Sequence, residues 1–197
     1  MKLQLPNVTL IALTNRNFDA HKAAIDKSCE DIEWGAVKLI WDEKIKSIDD
    51  WNYKIIFELH NYVQTDFAFL FHADGYPINP KAWRDEFLDY DFIGAPWPLP
   101  RDNYSYRDPK GNLLRVGNSV SIRSKRILEL PSKLNLEWKS YYGNTNEDGF
   151  LCVHNHEALE LHGCKFAPLE VAKFFSREHS IPENQGIETF AFHQVDL

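Results

Sequence analysis

An uninterrupted apolar run at residues 67–71, Phe-Ala-Phe-Leu-Phe, most constrains the fold of this chain. Apolar residues on both faces are typical of a strand inside a parallel sheet. His72-Ala73-Asp74-Gly75 follows, which places the Asp74 carboxylate just past the carboxyl end of the strand. Open α/β sheets bind ligands at that edge, where a carboxylate can hold a divalent cation and, through it, a phosphate. Asp-Gly is also a favoured turn pair, so a purely structural turn stays equally open.

The elements around this strand predict an α/β fold. Their order up to residue 71 is β-α-β-α-β, which favours parallel strands joined by right-handed crossovers. Asp49 or Asp50 could cap the second helix. The 197 residues fit a single domain. The predicted strands are 8–13, 36–41, 67–71, 91–94, 116–122 and 165–167. The predicted helices are 19–29, 51–63, 79–87, 124–130 and 147–161. The polar segment 101–112 is predicted to be a mobile loop.

Charge and cysteine content exclude several classes of protein. The net charge is −7 and no block of Lys or Arg occurs, which argues against a nucleic-acid partner. Three cysteines without Cys-x-x-Cys spacing indicate reduced thiols, and we expect a cytoplasmic protein. We also expect no signal peptide and no membrane span, because no apolar stretch is long enough.

Adjacent carboxylates at Glu147 and Asp148 follow a polar loop. Such a pair could supply a general base that deprotonates an acceptor hydroxyl. The same residues would also suit the first turn of a helix capped by Asn146, because acids favour the positive end of the helix dipole. Taken alone, the pattern favours the structural interpretation.

Two other kinds of site fit less well. Phosphatases of the haloacid-dehalogenase type start with a strand followed by Asp-x-Asp-Gly, in which the first Asp is the nucleophile. His72 occupies that position here and cannot form the aspartyl-phosphate. Cys152, His154 and His156 could suggest zinc, yet their spacing matches no common zinc site and residues two apart on a helix diverge. His193 becomes relevant only if its segment folds back toward Asp74.

Several further motifs follow the central strand in a fixed order, and together they resemble glycosyltransferase-like proteins of the GT-A fold. The resemblance covers residues 8–193. Its motifs are Asp66-Phe67-Ala68-Phe69-Leu70-Phe71-His72-Ala73-Asp74-Gly75-Tyr76, Asp91-Phe92-Ile93-Gly94-Ala95-Pro96-Trp97-Pro98, Val116-Gly117-Asn118, Ser121-Ile122-Arg123-Ser124, Glu147-Asp148-Gly149-Phe150-Leu151-Cys152, Phe166-Ala167-Pro168-Leu169-Glu170-Val171-Ala172 and Phe190-Ala191-Phe192-His193.

The resemblance implies a single GT-A domain over residues 1–197, with a Rossmann-like, mostly parallel sheet flanked by helices. Residues 1–76 would form the nucleotide-binding half and residues 77–197 the acceptor half. It further implies a metal-dependent transferase that moves a sugar from a nucleotide-diphosphate sugar, expected to be UDP-linked, to a hydroxyl of a glycan, a lipid-linked or a protein acceptor.

Roles for particular residues follow from the same resemblance. The donor would lie against Thr14, Asn15 and Arg16 and against His72, Ala73 and Asp74. Asp74 and His193 would hold Mn²⁺ or Mg²⁺, and Glu147-Asp148 would be the acidic pair near the acceptor, with Asp148 as the base of an inverting reaction. The loop 101–112 could close over the donor.

The sequence departs from the family pattern at two places. His72 replaces the first acid of the Asp-x-Asp motif, so we expect His72 less than Asp74 to be a metal ligand. Relatives usually read Gly-Asn-Gly-Gly where this chain has Gly117-Asn118-Ser119-Val120, so side chains occupy a place of close backbone approach. A non-catalytic module that binds nucleotide sugars or glycans is the alternative function, and phosphatase or nucleotidyl-transfer chemistry is a third.

Overall fold

A five-stranded sheet lies at the centre of the molecule in a computed structural model, which describes residues 1–194. The strands are Leu3–Thr14 (β1), Ile32–Trp41 (β2), Phe67–Leu70 (β3), Phe92–Ile93 (β4), Ser121–Ser124 (β5), Ser176–Arg177 (β6) and Ala191–Phe192 (β7). The helices are Phe18–Glu30 (α1), Ile48–Phe57 (α2), Lys125–Lys133 (α3), Glu147–Gly149 (α4), His156–Leu161 (α5) and Leu169–Phe175 (α6). Short 3₁₀ turns span Leu59–Tyr62, Pro80–Ala82, Asp85–Asp89 and Pro182–Asn184, and a π-helical turn spans Phe150–His154.

The central sheet is mostly parallel, with the strand order β2-β1-β3-β5-β4. β1 pairs in parallel with both β2 and β3, which confirms the predicted β-α-β-α-β unit. β5 runs antiparallel to β3 and to β4, so its first residues lie at the same edge as the carboxyl ends of the other strands. β6 and β7 form a separate parallel pair.

Both faces of the sheet are buried. On β1, Leu10 and Ala12 join the cluster that contains Phe69, while Ile11 joins the opposite cluster with Leu70. Residues of α1 and α6 belong to the first cluster, and residues of α2 and α3 belong to the second. This two-sided burial explains why the run at 67–71 is continuously apolar instead of alternating.

The start of α2 differs from the prediction. Ser47 is the N-cap, and its side chain accepts a hydrogen bond from the Asp50 amide, while the Asp50 carboxylate accepts one from the Ser47 amide. Asp50 is therefore the third residue of a capping box and not the cap itself. The helix ends at Phe57, and a 3₁₀ turn replaces the predicted continuation to residue 63.

The second half of the chain is more broken than predicted. The expected helix 147–161 is three short pieces, because a π-helical turn separates α4 from α5. The expected helix 79–87 is two 3₁₀ turns interrupted by an extended Trp83. The expected strand 116–122 begins only at Ser121, because Asn118 adopts a left-handed conformation with φ of 80°. None of the helices in residues 1–194 has the length and apolarity needed to cross a membrane.

Candidate functional site

A cavity of about 680 Å³ lies at the carboxyl ends of β1 and β3. β1 and β3 are neighbours in the sheet. β2, which follows β1 along the chain, lies on one side of β1, and β3 lies on the other side. A change of direction of this kind opens a crevice between the connections of an α/β sheet, where ligands bind. The six residues expected to contact the donor, Thr14, Asn15, Arg16, His72, Ala73 and Asp74, all line this cavity, together with Ser119, Asn146 and His193.

The turn after β1 is held by its own side chains. The Thr14 hydroxyl donates to the Arg16 carbonyl at 2.8 Å and accepts from the Arg16 amide at 3.2 Å. The Asn15 side-chain amide donates to the Ile45 carbonyl at 2.7 Å. Arg16 is exposed at the cavity wall, so its guanidinium is placed to meet an anionic ligand.

The turn after β3 is both a tight reversal and a wall of the cavity. The amides of His72 and Gly75 exchange hydrogen bonds with the opposite carbonyls, at 2.8 and 3.3 Å. A Cβ atom at Gly75 would lie 2.6 Å from Val120 Cγ2 and 2.7 Å from His193 Cδ2. Glycine is therefore required here for the close approach of two remote segments. The same residues therefore form both the tight turn and part of the cavity wall.

His193 folds back to Asp74, as the interpretation of that residue required. The Gln194 amide donates to the Asp74 carbonyl at 3.0 Å, and the Phe192 amide donates to the Tyr76 carbonyl at 3.3 Å. These backbone contacts fix β7 against the segment after β3. The His193 side chain is mostly buried, whereas the Asp74 side chain is 58% exposed.

His72, Asp74 and His193 form a triad whose potential ligand atoms all lie within 4.8 Å of one another. His193 Nε2 lies 3.9 Å from Asp74 Oδ1, and the two imidazole rings are 5.1 Å apart. Burial, reinforced by the nearby His193, holds the pKa of His72 well below its ordinary value. His72 is therefore neutral at physiological pH and can offer a nitrogen lone pair.

A divalent cation fits this triad. The buried Nε2 of His72 has no hydrogen-bond partner among the described residues, as expected of a nitrogen reserved for a ligand. Two imidazole nitrogens and one carboxylate oxygen suit a transition metal ion, such as Mn²⁺, better than Mg²⁺, which prefers oxygen ligands. The short distances to Asp74 and His193 therefore include His72, the less expected ligand, in the candidate metal centre.

Glu147 lies away from the cavity in a buried ion pair. Arg123 Nη2 donates to Glu147 Oε1 at 2.7 Å, and both side chains are fully buried. The Glu147 amide donates to Asn52 Oδ1 at 3.2 Å. The Arg123 guanidinium also lies over the Phe92 ring, 5.2 Å from its centroid. These contacts place Glu147 in the protein interior, where it supports α4.

Asp148 is only partly buried, and two backbone amides orient its carboxylate. The Gly149 amide donates to Oδ1 at 2.8 Å, and the Asn118 amide donates to Oδ2 at 3.1 Å. Burial raises the pKa of Asp148 to about 7, and the Glu147 carboxylate adds to the shift. A carboxylate with such a pKa can accept a proton near neutral pH.

The segment Gly117-Asn118-Ser119-Val120 contacts Asp148 through the Asn118 amide, and Asp148 itself does not line the cavity. Ser119 lines the cavity, and Val120 is buried against Gly75. A Cβ atom at Gly117 would lie 1.9 Å from the Trp97 ring, so glycine is required there. Ser119 and Val120, which stand where the resemblance leads us to expect two glycines, therefore lie at the cavity wall and against the turn after β3.

Glu178 is a site residue that the sequence interpretation missed. Its Oε1 lies 3.5 Å from His193 Nδ1, and its side chain is 19% exposed. Burial alone would raise its pKa, but the neighbouring imidazoles of His193 and His179 outweigh burial, so the pKa of Glu178 lies below its ordinary value. Glu178 belongs to no recognisable motif, and only the pairing of β6 with β7 brings it here.

The residues considered for zinc do not form a site. Cys152 is buried, and its carbonyl lies 3.1 Å from His156 Nδ1. His154 stacks on Tyr141 and His156 stacks on Phe166, with ring centroids 3.5 and 4.1 Å apart. Packing explains these side chains.

The polar loop 101–112 has local structure of its own. Asp102 accepts hydrogen bonds from the amides of residues 104 and 105, and Asp108 accepts them from those of 110 and 112. Tyr106, which has φ of 57°, stacks on Trp97 with centroids 4.6 Å apart. The loop is thus anchored at its centre by packing on Trp97.

Comparisons with known proteins identify a family. A search of curated proteins gives no match to this chain. The family described as "Protein of unknown function (DUF5672)" matches residues 40–193, a span that contains the His72–Asp74–His193 triad, Asp148 and Glu178. Because this span is more than half of its length, the chain belongs to the DUF5672 family.

Proposed function

We propose that this protein is a metal-dependent glycosyltransferase that uses a nucleotide-diphosphate sugar. The observation that carries the proposal is the triad of His72, Asp74 and His193 at the wall of a cavity formed at the carboxyl ends of β1 and β3. A cation held there would neutralise negative charge on the diphosphate leaving group. In an acidic protein with a net charge of −7, such a cation would reduce the repulsion of an anionic donor.

The chain's own residues supply the remaining parts. Thr14 and Asn15 order the turn after β1, and Arg16 presents a cation to the donor. Asp148 accepts the proton of the acceptor hydroxyl, because two backbone amides orient it and its pKa of about 7 suits a base near neutral pH. In this scheme Glu147 tunes Asp148 from the interior and does not contact substrate.

The test uses thermal unfolding of the full chain with UDP, a panel of UDP-sugars, and Mn²⁺ or Mg²⁺. We expect the melting temperature to rise only when nucleotide and cation are both present, and to rise more with Mn²⁺. Asp74→Ala should abolish the shift, because it removes one of the three ligands. Asp89→Ala, which removes an exposed acid outside the cavity, is the matched control. No cation-dependent shift with any nucleotide or nucleotide sugar would overturn the proposal.

A non-catalytic module that binds nucleotide sugars is the second candidate function. It is favoured by Ser119 in the cavity wall and by Val120 against Gly75, where close backbone approach would otherwise be possible. Binding without transfer or slow donor hydrolysis, across a broad acceptor panel, would support this alternative. Turnover with any acceptor would end it.

A further inference from the structure

Glu178 and His193 are brought side by side by the pairing of two short strands. In the parallel pair β6–β7, Arg177 is the register partner of Phe192. Glu178 and His193 are the next residues after these partners, and the His193 amide donates to the Arg177 carbonyl at 2.9 Å. Side chains at equivalent positions of paired strands project to the same side, so the carboxylate and the imidazole become neighbours.

The two nitrogens of His193 face different groups. Nε2 lies 3.9 Å from Asp74 Oδ1, and Nδ1 lies 3.5 Å from Glu178 Oε1. The Nδ1 contact is at the upper limit of hydrogen-bond length, and Nδ1 has no well-aligned acceptor among the described residues. A small rotation of either side chain would shorten the contact into a hydrogen bond.

We propose that Glu178 is a positioning residue that keeps the proton of His193 on Nδ1, so that the Nε2 lone pair faces the cation site beside Asp74. A carboxylate accepts but cannot donate, so it favours the tautomer with hydrogen on the nitrogen that faces it. Outer carboxylates of this kind orient metal-binding histidines and raise their basicity. The inference rests on the metal centre of the proposed function, but not on the transfer reaction.

Glu178 also influences the candidate base. Its charge contributes to the raised pKa of Asp148. One carboxylate beside His193 therefore bears on both the candidate metal ligand and the candidate base.

Calorimetric titration of the full chain with MnCl₂ and with CoCl₂ tests the inference. We expect Glu178→Gln to weaken cation binding about 10- to 100-fold, the effect usual for loss of an outer-shell partner. Glu170→Gln, which neutralises a 74% exposed acid on α6, should leave the affinity unchanged. Unchanged affinity in Glu178→Gln, while His193→Ala binds weakly, would overturn the inference and leave the metal site intact.

The tautomer of His193 gives a second measurement that needs no stable variant. Nitrogen-15 NMR of the metal-free wild-type chain should show hydrogen on Nδ1 of His193, and hydrogen on Nε2 would overturn the inference. A wild-type chain that binds neither cation would overturn both proposals. Cation binding that depends on Glu178, without any nucleotide effect, would support the inference and overturn the transferase.

Discussion

The buried pair of Arg123 and Glu147 gives the sharpest prediction about which member of the acidic pair is structural. Glu147→Gln keeps the shape of the side chain but removes its charge. Arg123 would then keep a positive charge at a site with no solvent exposure, next to an amide instead of a carboxylate. A second hydrogen bond, from the Arg123 Nε to the Ser121 hydroxyl at 2.9 Å, cannot compensate because it is made to a neutral group.

The magnitude follows from this burial. Breaking a buried ion pair by removing one partner costs about 3–5 kcal/mol, because the remaining charge is left uncompensated. A typical domain has about 5–15 kcal/mol of stability, so the variant should lose a large fraction of its free energy of unfolding. Glu129→Gln breaks the partly exposed pair with Lys133 on α3 and should cost at most about 1 kcal/mol.

Urea unfolding monitored by Trp fluorescence measures both variants. We expect the midpoint to fall strongly for Glu147→Gln with an unchanged denaturant slope, and to move little for Glu129→Gln. The double variant Arg123→Met, Glu147→Leu should recover much of the loss, because apolar residues of similar volume often replace a buried pair without cost. A loss for Glu147→Gln as small as that of Glu129→Gln would refute the reasoning.

Two further predictions concern Asp148 and Gly94. If Asp148 is the base, the transfer rate should rise with pH around 7, because the pKa of Asp148 is about 7, and Asp148→Asn should abolish transfer while nucleotide binding persists. The pKa of Asp148 is about 7 in the folded state and about 3.8 in the unfolded state, so the folded state binds more protons between these two values. Asp148 therefore makes the free energy of unfolding fall as the pH rises through that range, and urea titrations of Asp148→Asn should lack this pH dependence. For Gly94→Ala, the new Cβ would lie 1.7 Å from the Gly117 carbonyl oxygen, so urea unfolding should show a loss of at least about 1–3 kcal/mol; an unchanged midpoint would contradict the geometry.

The first three strands could be predicted from the sequence because their signals are local. The run at 67–71 is apolar on both faces, and the structure buries it on both faces. The parallel direction of β1 relative to β2 and β3 then follows from the β-α-β connections. Only the bounds differ, since β1 begins at Leu3 and not at residue 8.

The second half could not be predicted equally well because its geometry depends on remote contacts. Asn118 adopts positive φ beside Asp148, which is 30 residues away, and this ends the expected strand 116–122 early. Glu178 has no local signal at all, since its neighbour His193 is set by the pairing of two-residue strands. Glu147 and Asp148 also differ only in three dimensions, because Glu147 is fully buried in an ion pair with Arg123, whereas its neighbour Asp148 is partly exposed.

The placement of the antiparallel strand explains why these remote groups converge at one edge. β5 runs opposite to β3, so the residues before it, Asn118 and Ser119, lie beside the turn that follows β3. β7 approaches the same turn from the other side and delivers His193 to Asp74. The candidate metal ligands therefore come from segments about 120 residues apart, yet two independent pairings fix their separation before any cation could bind. A site that backbone pairing has already ordered loses little conformational entropy when it binds a cation. We therefore expect the triad, and not the loop 101–112, to determine cation affinity.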